Sequence, residues 1–164
     1  GMNLRVCRFH NVYGPNGTWD GGREKAPAAL CRKVIEAQDT GNLEIEIWGD
    51  GEQTRSFMYI DDCITGIDKL MASNYSDPLN LGRSELVTIN GLLDIIEGIA
   101  GVELKRNYNL DAPQGVRGRN SDNARIREVL GWEPEVDLVT GLGKTFHWIK
   151  EQYDRRKKGE AVVQ

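Results

Sequence analysis

No stretch of this chain approaches the roughly 20 consecutive apolar residues of a membrane-spanning helix, and the N-terminus has no apolar core like that of a secretory signal. Cysteine is scarce. The three present, Cys7, Cys31 and Cys63, are odd in number, far apart and in no metal-ligand spacing. That excludes a disulfide framework and a cysteine-built metal site, and leaves reduced thiols on packed faces of a cytoplasmic protein as the expectation. Excess positive charge is missing too. With 21 Lys and Arg against 25 Asp and Glu the formal charge is −4, which argues against a nucleic-acid binder held by bulk electrostatics. There is no internal repeat, no low-complexity tract, and no G-x-G-x-x-G of the kind that seats a dinucleotide pyrophosphate at a helix N-terminus.

What is present is an ordinary globular composition: 164 residues, 39% hydrophobic and 28% charged, enough for one domain with a real core. Gly1 before Met2 reads as a tag remnant. Leu4 to Phe9 is a short apolar run that predicts a buried strand. Residues 26–38 carry Ala29, Leu30, Val34 and Ala37 at helical spacing, with Pro27 acceptable in the first turn. Glu44 to Trp48 alternates and predicts a half-buried strand. After the Gly49-Asp50-Gly51 turn, Thr54 to Ile60 reads as a second strand. Asp61 or Asp62 is positioned to cap a helix whose apolar face is Cys63, Ile64, Ile67, Leu70 and Met71. Pro78 to Gly82 predicts a buried strand, and Thr88 opens a helix stopped by Gly101. Glu103 to Tyr108 reads as a strand, and Asp122 begins a short helix. A final helix runs from Leu138 to Tyr153, and the basic run Arg155 to Lys158 forms its solvated end. Strands alternating with helices argue for an α/β class.

The stretch Asn11 to Pro27, NVYGPNGTWDGGREKAP, concentrates glycines, cations and a carboxylate between an apolar strand and an apolar helix. Arg55 follows the Gly49–Gly51 turn, and Arg117 and Arg119 lie in a second loop with Gly115 and Gly118. Cations on several loops beside glycines suit an anion such as a diphosphate, because the guanidinium fork matches phosphate oxygens. By composition alone, solvated surface charge accounts for them better.

The run LRVCRFHNVYGP, then WGDGEQTRSFMYIDD, then PLNLG and a helix ending LGWEP resembles the second half of the extended short-chain dehydrogenase/reductase family, the nucleotide-sugar epimerases and dehydratases. Ser56, where the general motif has Asp, together with GTWDGGREKAPAA and GVRGRNSDN, is similar to the branch that epimerises GDP-mannose at C3 and C5. The resemblance implies the C-terminal part of an NAD(P)-binding Rossmann-like fold: the last sheet strands (about 3–12 and 78–101) plus the small sugar-nucleotide-binding domain. It implies NAD as cofactor, with its main binding site in an N-terminal part upstream. It implies a GDP-sugar substrate oxidised transiently at C4, with protons exchanged by a cysteine and a lysine. Lys25 matches that lysine, which would need its pKa brought from ~10.4 toward ~7–8. The cysteine lies upstream in the family, and none of the three here matches it.

By the same resemblance Asn11, Glu24, Lys25, Ala26, Lys33, Gln53, Arg55 and Arg119 are substrate contacts, His10 borders the nicotinamide, and a further contact falls beyond Gln164. Trp48 is either a base-stacking face or, more simply, core. The connection from Glu36 to Glu44 is slightly longer than the family's, which puts the reach of Lys33 in question. Tyr153 and Lys157 have the spacing of the family's catalytic pair but fall in the wrong part of the chain. His147 reads as structural. Two other readings stand beside this one: a nucleotide-sugar 4-epimerase or dehydratase, and a non-catalytic binding or assembly module that self-associates through an exposed edge at Leu4–Phe9.

Overall fold

In the computed structural model, which describes residues 2–113 and 115–163, strands and helices alternate. Gly1, read above as a tag remnant, lies outside the described residues. In chain order the elements are β1 (Cys7–Phe9), β2 (Val12–Tyr13), α1 (Ala26–Thr40), β3 (Glu44–Trp48), β4 (Thr54–Arg55), β5 (Met58–Tyr59) and α2 (Ile60–Ala72). There follow β6 (Leu79–Leu81), β7 (Val87–Thr88), α3 (Ile89–Ala100), β8 (Lys105–Asn109), β9 (Gly118–Arg119), α4 (Ala124–Leu130) and α5 (Leu138–Lys157). Strand pairing is mostly parallel: β1 with β6, β2 with β5, β3 with β8, and β4 with β9. Only β7 runs antiparallel, on the other side of β4.

Two apolar cores result. In the larger, α1, α3 and α5 pack on one another and on β3 through Val34, Ile47, Leu92, Ile96, Leu142 and Ile149, all essentially inaccessible. Each such side chain contributes about 1.5–3 kcal/mol by burial. Thr88 caps α3 by accepting from the Gly91 N–H at 2.9 Å, and Asp137 caps α5 by accepting from Thr140 at 2.8 Å. The buried Glu97 on α3 is satisfied by the Leu104 N–H at 2.9 Å and Arg106 at 2.7 Å, which ties that helix to β8. Gly141 is required by close approach. A Cβ there would collide with the Tyr13 hydroxyl and lie 3.0 Å from the same ring. The smaller core gathers Met58, Cys63, Leu70, Leu79, Leu81 and Ile126 where α2 and α4 cover β1 and β6. Of the stretch 78–101, only Leu79–Leu81 pairs with β1; α3 belongs to the larger core.

Several local expectations are corrected. Thr54 to Ile60 is not one strand. The chain trades partners in its middle: the Ser56 N–H donates to Arg119 and the Met58 N–H to Asn11, so β4 and β5 belong to different sheets. Ile60 is already helical. Neither Asp61 nor Asp62 caps α2; both lie in its first turn, and Asp62 accepts from the Val136 N–H at 2.8 Å. Ile64 and Met71 on α2 are exposed, not packed. The first strand is shorter than Leu4–Phe9 and open on one face, with Val6 and Phe9 about half exposed and β6 its only neighbour among the described residues. Asp122 precedes α4, accepting from the Ala124 N–H. The basic end of α5 is paired rather than simply solvated: Arg156 with Asp20, Lys157 with Asp39, and Arg155 with Glu160. Among the described residues no helix is long and apolar enough to cross a membrane.

Candidate functional site

A cavity of about 520 Å³ opens between the start of α1, β3 and the β4–β5 turn. Asn11, Glu24, Lys25, Ala26, Lys33, Gln53 and Arg55 line it, with Trp48, Phe57, Ile89 and Pro113. Local backbone positions these groups. Asn11 sits in the left-handed region at φ 33°, where asparagine is among the best-tolerated side chains. Its amide donates to the Ser56 carbonyl at 3.0 Å. Lys25 is the extended residue preceding α1 (φ −77°, ψ 159°), and its side chain is exposed to the cavity. The Lys33 ammonium meets the Glu46 carbonyl at 3.1 Å on the cavity wall.

Gln53 is only 7% exposed. Its amide N–H donates to the Trp48 carbonyl at 2.9 Å, while its Oε1 has no hydrogen-bond partner among the described residues. Gln53 lines the cavity as a residue, but this oxygen is itself buried. Arg55 donates to the Thr54 carbonyl at 2.7 Å. Trp48, read above chiefly as core, is 53% exposed, because β3 alternates and turns Ile45 and Ile47 inward. Its indole N–H reaches Glu46 at 3.2 Å.

Glu24 stands behind Lys25. Burial pushes its carboxyl up, but hydrogen bonds from its own backbone, Arg32 and the Gly22 N–H outweigh that and hold it below the usual carboxylate range. It is therefore an anion at neutral pH. Arg32 meets it at 3.2 Å and also pairs with Glu36 at 2.8 Å. The sequence reading missed Arg32. Its spacing four residues before Glu36 on a helix was the available signal.

Two of the sequence-derived residues lie outside the cavity lining. Arg119 is exposed on β9, in register with Arg55 across the parallel pair. His10 directly follows β1, with its N–H bonded to the Leu81 carbonyl and its Cβ 2.5 Å from where a side chain at Gly82 would begin. Burial, then the charges of Arg119 and Arg8, lower its pKa and favour the neutral imidazole. Arg117 is engaged by Asp50 at 2.8 Å. Tyr153 and Lys157 both bind Asp39, and burial and that carboxylate raise the tyrosine pKa, the reverse of what a general base needs. His147 makes a contact of 2.6 Å with the Gly143 carbonyl one turn back. The three cysteines are free thiols whose pKa values are raised by burial.

The model of the NAD dependent epimerase/dehydratase family matches residues 1–82. The chain belongs to that family. It is 50% identical over 157 residues to a GDP-mannose 3,5-epimerase 1 of Oryza sativa subsp. indica, covering 96% of this chain and 40% of that protein. It is 47% identical to GDP-mannose 3,5-epimerase of Arabidopsis thaliana, covering 99% of this chain and 42% of the relative. The chain thus spans about two fifths of the length of these relatives. Among solved structures it superposes on UDP-glucose 4-epimerase from Thermotoga maritima with a TM-score of 0.80 at 29% identity, over 91% of this chain and 46% of that one. The fold is accordingly the C-terminal part of an epimerase-type α/β fold.

Proposed function

We propose that this chain is the substrate-binding portion of an NAD-dependent nucleotide-sugar epimerase acting on GDP-mannose, inverting C3 and C5 through a transient 4-keto sugar. The main NAD-binding part belongs to sequence outside this chain. The observation that carries the reading is convergence: Asn11, Glu24, Lys25, Ala26, Lys33, Gln53 and Arg55, scattered over 45 residues of sequence, line one cavity. The 47–50% identity to proteins named GDP-mannose 3,5-epimerase supports the choice of substrate.

In this reading Lys33 and Arg55 supply cationic donors for the diphosphate, with Arg119 on the adjoining strand adding positive potential. Gln53 forms part of the wall beside the nucleoside, and Trp48 offers a face to the base. Lys25 moves a proton at the hexose, and the Glu24 carboxylate beside it orients hydroxyls by accepting from them. The chemistry that a bound NAD would supply is reversible hydride exchange at C4 of the hexose. On this chain the partly buried His10 imidazole, just past the carboxyl end of β1 where that strand pairs in parallel with β6, is the group that would border the nicotinamide. From its three free thiols we read the protein as cytoplasmic. The open edge of β1 pairs with the remaining sheet of the whole enzyme, or with a second copy when that sheet is lacking.

Calorimetric and thermal-shift titrations of this chain with GDP-mannose and with UDP-glucose test the reading. GDP-mannose should bind and raise the melting temperature in proportion to RT ln(1 + [L]/Kd), with UDP-glucose much weaker. Equal or stronger stabilisation by UDP-glucose would favour a 4-epimerase. No binding of either would leave only the assembly module. The chain incubated with NAD and GDP-mannose should form no epimerised product.

A further inference from the structure

The loop carrying Glu24 and Lys25 is held by residues more than 100 positions away. Trp19, in the middle of the glycine-rich segment, is completely buried, and its indole N–H donates to the Val163 carbonyl at 2.6 Å. The guanidinium of Arg156, in the last turn of α5, lies 4.1 Å from the centre of the Trp19 ring. The same guanidinium donates to Asp20 Oδ2 at 2.6 Å. The other Asp20 oxygen accepts from the Gly21 N–H at 2.7 Å and lies 3.4 Å from Arg32. Arg32 then reaches Glu24, whose second oxygen accepts from the Gly22 N–H at 2.7 Å. On the far side Val163 is itself fixed, its N–H donating to the buried Gln152 of α5 at 3.1 Å.

We infer that Trp19, Arg156 and the Val162–Val163 segment form a latch that positions the Asp20–Lys25 loop for substrate, relayed through Asp20 and Arg32. The physical need is plain. Gly21 and Gly22 both have positive φ, at 96° and 83°, and a Cβ at either would touch nothing, so their own packing does not hold them. Left alone, such a pair costs entropy to order each time a ligand binds. A cation stacked on an indole and a chain of charge-assisted hydrogen bonds remove that cost beforehand. Arg156, Asp20 and Trp19 are positioning residues; none of them lines the cavity.

The inference rests on the substrate reading above, and the experiment separates the two. Backbone amide exchange of residues 17–25 in the ligand-free chain is compared between wild type, Arg156→Ala and Arg156→Lys. GDP-mannose affinity is measured in parallel. Arg156→Ala should speed exchange in the loop by roughly tenfold while α1 and α3 keep their protection, and should weaken binding by a similar factor. Arg156→Lys, which keeps a cation over the ring but loses the fork, should recover part of both. Unchanged loop exchange overturns the latch, as does exchange that rises equally across the larger core. Faster loop exchange with unaltered affinity overturns its positioning role. A wild type that binds no GDP-mannose refutes the substrate reading instead, and loop exchange alone then decides whether the latch exists.

Discussion

Replacing Trp48 by alanine isolates recognition of the base from the rest of the cavity. The indole is 53% exposed in the free protein, and its N–H bonds to Glu46 on the same exposed face of β3. Truncation should therefore cost the fold less than about 1 kcal/mol. A base stacked on an aromatic side chain is worth about 1–3 kcal/mol by alanine substitution. With much of the indole open to water, the lower part of that range applies, about 1–2 kcal/mol, or roughly five- to thirtyfold in Kd. Calorimetric titration with GDP and with mannose 1-phosphate separates the two ends of the ligand. Trp48→Ala should weaken GDP by that factor and leave mannose 1-phosphate unchanged, with Trp48→Phe in between. Of the chain's four tryptophans Trp48 is the one on the cavity wall, so loss of a GDP-dependent quench in the variant gives an independent optical readout. GDP bound within twofold of wild type would refute the stacking role. Equal losses for both ligands would show that the substitution had deformed β3 and not removed a base contact.

Gly141→Ala should destabilise the larger core by about 1–3 kcal/mol, because the new Cβ meets the Tyr13 ring and lies 3.1 Å from Tyr59, and the rings pack edge-on at 5.7 Å. A melting temperature unchanged within error would show that Tyr13 moves more freely than its packing implies. Acid should weaken the loop latch. The hydrogen bond from Arg156 holds the Asp20 carboxyl below its usual range, with burial opposing. A folded-state pKa below the unfolded one gives stability that is complete above about 3.9 and lost as pH falls through the folded value. Denaturant unfolding between about pH 2 and 6 should therefore show a shallower acid loss in Asp20→Asn than in wild type. An identical slope would refute the contribution.

Helices α1, α3 and α5 were legible because each needs only a 3.6-residue apolar stripe and local stop signals such as Thr88 and Gly101, and β3 because strict alternation has one meaning. The break inside Thr54–Ile60 was not legible. Its cause is a change of partner, from β9 to β2, that no local pattern records. The exposure of Ile64 and Met71 was hidden for the same reason: an apolar residue at helical spacing says that it can be buried, not that anything lies opposite. In the site, the motif residues of the loop and of β4 were found from sequence, whereas Arg32, Trp19 and Arg156 were not. Their roles depend on pairings across 12, 144 and 136 positions: Arg32 with Asp20 (and with Glu24, 8 positions away), Trp19 with Val163, and Arg156 with Asp20.

By itself the sequence determined the α/β class, the family resemblance and the set of side chains proposed to meet a nucleotide sugar, since these reside in residue type and short spacing. Only the tertiary structure decided which of them share a cavity. It turned Trp48 outward, buried the Gln53 carbonyl oxygen, set His10 and Arg119 apart from the pocket, and joined Asp20 of the glycine-rich loop to Arg156 at the end of α5. Those outcomes depend on which elements pack together, and packing is a property of distances through space that spacing along the chain does not contain.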